Sequence, residues 1–220
     1  MRGESDRRLT QRVRTARSRS PASARWLERQ LNDPYVARAK GAGLRSRAAF
    51  KLIEIDEKFK LLRPGLGVVD LGAAPGGWTQ VAVQKGAARV VAIDLLPIDP
   101  IPGATILQGD FLSDDAPDRV RAALGGPADL VLSDMAANTT GHAATDHLRI
   151  MGLAEAALDF AVSVLAPGGA FVCKLFQGGG ERAFQDVLKQ RFAKVRHAKP
   201  PASRRDSAET YVVAQGFRPA

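Results

Sequence analysis

The chain has 220 residues and a mass of 23.5 kDa, enough for one well-cored domain with a tail. Hydrophobic residues make up 45% and charged ones 25%, an ordinary globular balance, and no apolar run reaches the roughly 18 residues of a membrane-spanning helix. The formal charge of +9 is uneven: residues 1–51 carry 14 Lys/Arg against four Asp/Glu, while the remainder is nearly balanced at 18 against 19.

A basic arm on a near-neutral body points to a polyanionic partner, nucleic acid being the usual one, with a solvated tail as the plainer alternative. The polar, arginine-rich start lacks the apolar core of a secretory signal, and Glu4 and Asp6 speak against a transit peptide. A single cysteine, Cys173, rules out an intrachain disulfide and fits a reducing, cytoplasmic compartment.

In chain order, residues 1–30 show no apolar periodicity and are expected to form a disordered basic arm ahead of one folded domain, 31–220. The stretch "DPYVARAKGAGLRS", Asp33–Ser46, mixes Tyr35 with Arg38, Lys40 and Arg45 before the folded core. Ser46 is the expected N-cap of a helix to about Lys60, with Leu52, Ile55 and Phe59 as its apolar stripe and Arg63–Gly65 ending it. Strands are predicted at Val68–Leu71, Val90–Asp94, Thr105–Gln108, Leu130–Ser133 and Ala170–Lys174. Helices fall between them near Thr79–Gln84, Pro117–Leu124 and Asp146–Leu165. This alternation predicts an α/β fold with a mostly parallel, doubly wound sheet. The segments "FAKVRHAK" and "ETYVVAQGF" are strand-like but joined by a loop without a helix, so they should pair antiparallel.

The stretch "VVDLGAAPGGWTQ", Val68–Gln80, has the form of a nucleotide-binding turn between strand and helix. A Walker loop requires Lys where Trp78 stands. A dinucleotide fingerprint requires Gly at position 74, which is alanine, so backbone could not approach a pyrophosphate closely. A nucleoside ligand without pyrophosphate remains, and S-adenosylmethionine fits. Asp94 closes the second strand about twenty residues past the turn, where a carboxylate takes ribose hydroxyls. Asp110 and Asp134 follow the third and fourth strands, at the edge where parallel sheets bind ligands. Singly, each acid is better explained by helix capping or loop solvation; jointly they favour a site. By the same reasoning Asp70 should orient the turn through backbone amides.

Two lysines sit oddly for a plain core. Lys174 ends the apolar run "AFVCK" at the ligand edge of the sheet, and Lys51 lies one turn before Ile55 near the buried stripe. Either could carry its ammonium out to solvent, and for Lys51 alone that is the simpler account. Cys173 faces away from Lys174 by strand alternation and reads as core.

The motifs "GLRSRAAFKL", "VVDLGAAPGGW", "DLLP", "LQGDF", "SDMA" and "SRRDSAETYVVA", in this order from about Asp33 to Gly216, resemble the FtsJ/RlmE family of ribosomal RNA methyltransferases. The resemblance implies a Rossmann-like S-adenosylmethionine-dependent fold and 2′-O-methylation of a ribose in 23S rRNA. The target it implies is one uridine of the A-loop in the 50S subunit, modified by a monomer with no obligate protein partner. It implies a tetrad of Lys51, Asp134, Lys174 and Glu209, and cofactor contacts at Gly72, Gly76, Trp78, Asp94, Asp110 and Asp134. Ala137 departs from the proline usual in "SDMAPN", which puts the rigidity of that loop in question.

Transfer to a weakly acidic ribose hydroxyl needs in-line positioning and a base. Lys174 can serve only as a neutral amine, with its pKa brought from about 10.4 toward roughly 7–8. Lys51 would push it that way, while Asp134 and Glu209 would hold the lysines and the hydroxyl in place. Arg38, Lys40, Arg45 and Arg47 before the first lysine, and Lys199, Arg204 and Arg205 before the glutamate, are the expected phosphate contacts, with Arg25, Lys194 and Arg196 beside them. Competing readings are a 2′-O-methyltransferase of another RNA, a non-catalytic RNA-binding assembly factor, and, more remotely, a nicotinamide oxidoreductase.

Overall fold

The computed structural model describes residues 30–136, 141–176, 182–204 and 207–219, with isolated positions before residue 30. The expected arm 1–30 therefore falls almost wholly outside the described residues, as do Ala137, Arg25 and Arg205. Helix α1, Pro34–Gly41, leads into α2, Ala48–Phe59. The central unit alternates: β1 Gly67–Leu71, α3 Gly77–Gln84, β2 Arg89–Asp94, β3 Thr105–Gln108, α4 Ala116–Leu124, β4 Ala128–Ser133, α5 Ala143–Val164 and β5 Leu165–Phe176. Helix α6, Arg182–Arg191, carries the chain to β6, Phe192–Ala198, and β7, Glu209–Phe217, follows with no helix between them.

All seven strands form one sheet in the order β3-β2-β1-β4-β5-β7-β6. The first five run parallel, and β7 pairs antiparallel with both β5 and β6. The predicted mostly parallel sheet with antiparallel final strands is therefore observed, with β7 inserted between β5 and β6. After β3 the chain returns past β1 to build β4, so the switch in winding lies between β1 and β4, the place where such sheets open a crevice beyond their strand ends.

Every residue of β1 is buried because parallel strands are covered on both faces. On one face Val69, Leu71, Val91, Val131 and Phe171 pack against α4, α5 and α6 through Val120, Leu158 and Phe184. On the other, Val68, Val90, Leu132, Val172 and Tyr211 meet Leu52, Ile55 and Phe59 of α2 and Trp78 and Val81 of α3. Cys173 lies in the first cluster, opposite the α2 side, as alternation requires.

Three local features differ from the sequence reading. Helix α1 is new: Asp33 caps it, accepting from the Tyr35 amide at 3.0 Å, and Pro34 fits the first turn. Helix α6 is also new; its only buried side chains are Phe184 and Leu188, a four-residue spacing too sparse to stand out. Helix α2 is not capped by Ser46: it starts after Arg47 and ends before the Arg63–Gly65 turn, where Lys60 takes a left-handed conformation at φ 56°.

Candidate active site

The crevice is floored by the turn from β1 into α3. Gly72 and Gly76 have φ of 73° and 99°, a region that side chains rarely adopt. A Cβ at Gly72 would lie 2.8 Å from the Met135 Cα, so this glycine lets β4's exit loop close against the turn. One at Gly76 would lie 2.7 Å from Ile101 Cδ1. Asp94 secures the turn from β2: one carboxylate oxygen accepts the Ala74 amide at 2.8 Å and the other the Leu96 amide at 2.8 Å. Asp110 accepts the Leu112 amide at 2.9 Å. Each carboxylate oxygen holds more than one lone pair, so both acids keep capacity for a ligand's hydroxyl or amine.

Trp78 is buried, its indole N–H donating to the Ala48 carbonyl at 2.8 Å and its ring packed 5.6 Å from that of Tyr211. It joins the turn to α2 and β7. Asp70 is fully buried on the same face, and its Oδ2 accepts the Thr79 hydroxyl at 2.6 Å. The expectation that Asp70 orients the turn holds in this form: it pins the first turn of α3, through a hydroxyl as well as an amide.

Four elements deliver the Lys-Asp-Lys-Glu set. Lys51 comes from the inward face of α2, Asp134 from the end of β4 and Lys174 from β5. Glu209 opens β7, which runs antiparallel and so starts at the edge where β5 ends, with Glu209 opposite Phe176 and Tyr211 opposite Lys174. The Lys51 ammonium lies 2.8 and 2.9 Å from the two Glu209 oxygens and 3.8 Å from Asp134 Oδ2. The Lys174 ammonium lies 3.2 Å from Asp134 Oδ1 and donates to the Asp134 carbonyl at 2.7 Å. Both lysines are buried, at 7% exposure each, so neither escapes to solvent.

Tyr211, absent from the sequence reading, binds the set together. Its hydroxyl donates to Asp134 Oδ1 at 2.7 Å and accepts from Lys51 at 3.0 Å. Burial, then the Asp134 and Glu209 charges, pushes this phenol well above its ordinary pKa, so it stays a donor. Burial opposes ionisation of Asp134, but the Lys174 and Lys51 charges and the Tyr211 hydroxyl outweigh it and hold the carboxyl below its ordinary range. Asp134 is thus a fixed anion between two ammonium groups. Burial pushes the Cys173 thiol up to about 12, which fits a core residue without chemistry.

Residues 44–217 match the FtsJ-like methyltransferases. This chain belongs to that family. Ribosomal RNA large subunit methyltransferase E of Granulibacter bethesdensis is 67% identical over 207 residues, spanning 94% of this chain and 90% of that protein. The protein of the same name from Paramagnetospirillum magneticum is 66% identical over 219 residues, spanning 96% and 90%. A Plasmodium falciparum crystal structure assigned to the ribosomal RNA methyltransferases superposes with a TM-score of 0.71 at 28% identity, over 80% of this chain and all of that one.

In this FtsJ-like methyltransferase the basic residues divide into two groups. Arg38, Lys40, Lys194, Arg196 and Lys199 are exposed, Lys199 donating to the Ser207 carbonyl at 2.6 Å. Arg45, Arg47 and Arg204 are engaged internally. Arg45 donates to the carbonyls of Asp99 at 2.8 Å and Pro100 at 2.7 Å and reaches that of Pro75 at 3.4 Å, clamping the β1–α3 turn to the loop after β2. Arg47 and Arg204 approach the buried Asp33 carboxylate at 2.9 and 3.5 Å. Arg47 also holds the Ala202 carbonyl, Glu54 accepts the Ala202 amide at 2.7 Å, and Ser203 donates to Glu209 at 2.8 Å. Among the described residues no group of three or more His, Cys, Asp and Glu could hold a metal ion.

Proposed function

We propose that this chain methylates the 2′-hydroxyl of a ribose in large-subunit ribosomal RNA, using S-adenosylmethionine, and that its target is a uridine of the 23S A-loop in the 50S particle. The observation that carries the reading is the meeting of Lys51, Asp134, Lys174 and Glu209 beside the β1–α3 turn. The relatives named for ribosomal RNA, and the residues they share with this chain over nearly its whole length, support the substrate class. S-adenosylmethionine fits the residues present: Gly72 and Gly76 would let its amino-acid end lie against backbone, Asp94 would take the ribose, Asp110 the adenine edge, and Asp134 the charged end. When bound, it supplies a methyl group already activated by the sulfonium.

The protein's remaining work is to hold the ribose oxygen in line and remove its proton. Lys174 is the base. Its amine must reach the hydroxyl unprotonated, and the ribose proton then passes to its Nζ. Asp134 anchors Lys174 through both carboxylate and carbonyl, fixing the amine's position before the hydroxyl arrives. Glu209 neutralises Lys51, whose charge lies next to the oxygen that becomes alkoxide-like in the transition state. The exposed Arg38, Lys40, Lys194, Arg196 and Lys199 lead the RNA backbone to the cleft. The 2′-hydroxyl itself supplies discrimination against DNA.

The test uses large-subunit particles from cells lacking this protein, with ribose methylation mapped before and after addition. One ribose is expected to gain a methyl group. Lys174→Ala should bind S-adenosylmethionine and lose roughly 10²–10⁴-fold in transfer rate, the usual worth of a general base. Near-normal transfer by that variant rejects Lys174 as the base. A wild type that leaves the particle unmodified and methylates tRNA instead moves the substrate to another RNA.

A further inference from the structure

Outside the tetrad the described surface holds a cluster in which Arg38, given only an RNA-backbone contact above, has aromatic partners. The Tyr35 and Phe50 rings meet edge to face at 5.5 Å, and the Arg38 guanidinium lies over both, 5.0 and 4.6 Å from their centroids. Arg47 approaches the Tyr35 ring at 5.8 Å. Arg38 is exposed, and Tyr35 and Phe50 are only half-buried. Among the described residues no carboxylate forms an ion pair with Arg38, and its guanidinium meets the protein at Tyr35 and Phe50. A half-exposed pair of rings with an exposed guanidinium against them offers π faces and a planar cation, groups on which an unpaired nucleobase stacks.

The cluster is also tied to the cleft. Phe50 and Lys51 are neighbours on α2, and Phe50 and Glu54 share a helix face at the four-residue spacing. Tyr35 donates its hydroxyl to Glu54 at 3.1 Å, and the other Glu54 oxygen accepts the Ala202 amide. Ser203, next in the chain, donates to Glu209. Fixing a base on the rings therefore fixes it relative to the tetrad. A phosphate beside the stacked base would meet the exposed Lys40.

We propose that Arg38, Tyr35 and Phe50 form a stacking platform for an unpaired nucleobase close to the target nucleotide. The inference rests on the RNA substrate proposed above and adds a base-binding subsite to it. Stacking depends on the planar guanidinium, whereas a phosphate contact depends on charge alone, and lysine keeps only the charge.

The experiment measures equilibrium binding of the full chain to an oligouridine and to an abasic strand of the same length and phosphate count. Wild type should bind the oligouridine at least about tenfold more tightly, the ordinary worth of one stacked base. Arg38→Ala and Arg38→Lys should both remove most of that margin, with S-adenosylmethionine affinity as in wild type showing that the fold is intact. Retention of the margin by Arg38→Lys reduces Arg38 to a phosphate ligand and overturns the platform. Equal binding of both strands by wild type overturns it as well. Methyl transfer to large-subunit particles is scored separately, so a wild type that stacks bases without methylating rRNA refutes the substrate reading alone.

Discussion

Replacing Asp70 by asparagine tests how the β1–α3 turn is held. The carboxyl is fully buried, its Oδ2 bonded to Thr79 and its Oδ1 without a partner among the described residues. Burial is the chief cause that raises it from an ordinary 3.8 to about 7, with the Asp134 charge adding and the Thr79 hydroxyl opposing. Between those values the folded protein holds a proton that the unfolded chain has released. Folding is therefore favoured by acid: the contribution is fully present below about 3.8 and is lost as pH rises through about 7. The gap spans about three tenfold changes in proton affinity at about 1.4 kcal/mol each, so ionising Asp70 costs the fold on the order of 4 kcal/mol.

Asparagine keeps an oxygen for the Thr79 hydroxyl and cannot ionise. Its new amide group, facing the unpartnered side, costs about 1–3 kcal/mol at every pH and so does not alter the slope. Urea unfolding of wild type and Asp70→Asn at intervals from pH 5 to 8.5 reads the difference directly. The variant's stability relative to wild type should rise by a few kcal/mol across that range. Parallel curves would refute the claim that this acid is neutral in the folded state at mildly acid pH.

Two further outcomes follow from the same geometry. Tyr211→Phe removes a buried donor to an ionised carboxylate and should cost about 1.5–3 kcal/mol in urea unfolding while keeping the ring contact with Trp78; a double cycle with Asp134→Asn should show coupling of at least about 0.5 kcal/mol, and simple additivity would disprove the link. Arg45→Ala should weaken S-adenosylmethionine binding by releasing the turn from the Asp99 and Pro100 carbonyls, and should leave the salt dependence of RNA binding unchanged; a shallower salt slope with normal cofactor affinity would return Arg45 to the phosphate contacts.

The sheet could be read in the sequence because its signals are local. Short β-branched runs separated by helical stretches admit few arrangements, and the acids at their ends mark one edge. What could not be read is the placement of β7 between β5 and β6. Phe184 and Leu188 are a faint mark of α6, and without that helix nothing says that β6 skips a position and leaves a gap. That gap brings Glu209 to Lys51 across 158 residues of sequence. Tyr211 was within reach of the sequence once Glu209 was aimed at the cleft, since residues two apart on a strand share a face. Arg45 was not, because a guanidinium's five donors suit backbone carbonyls as well as phosphates, and only the fold decides which lie in range.

The same reasoning bears on how the two lysines can sit together. Two buried ammonium groups facing one cleft would repel strongly in a region of low dielectric. Asp134 lies between them, 3.2 Å from one and 3.8 Å from the other, and Glu209 grips Lys51 with both oxygens. The carboxylates are not shared equally: Lys51 has two acids and the Tyr211 hydroxyl, while Lys174 has one acid and one carbonyl. That asymmetry, set by the antiparallel entry of β7 beside α2, leaves Lys174 the less encumbered of the two amines, in keeping with its proposed role as the base.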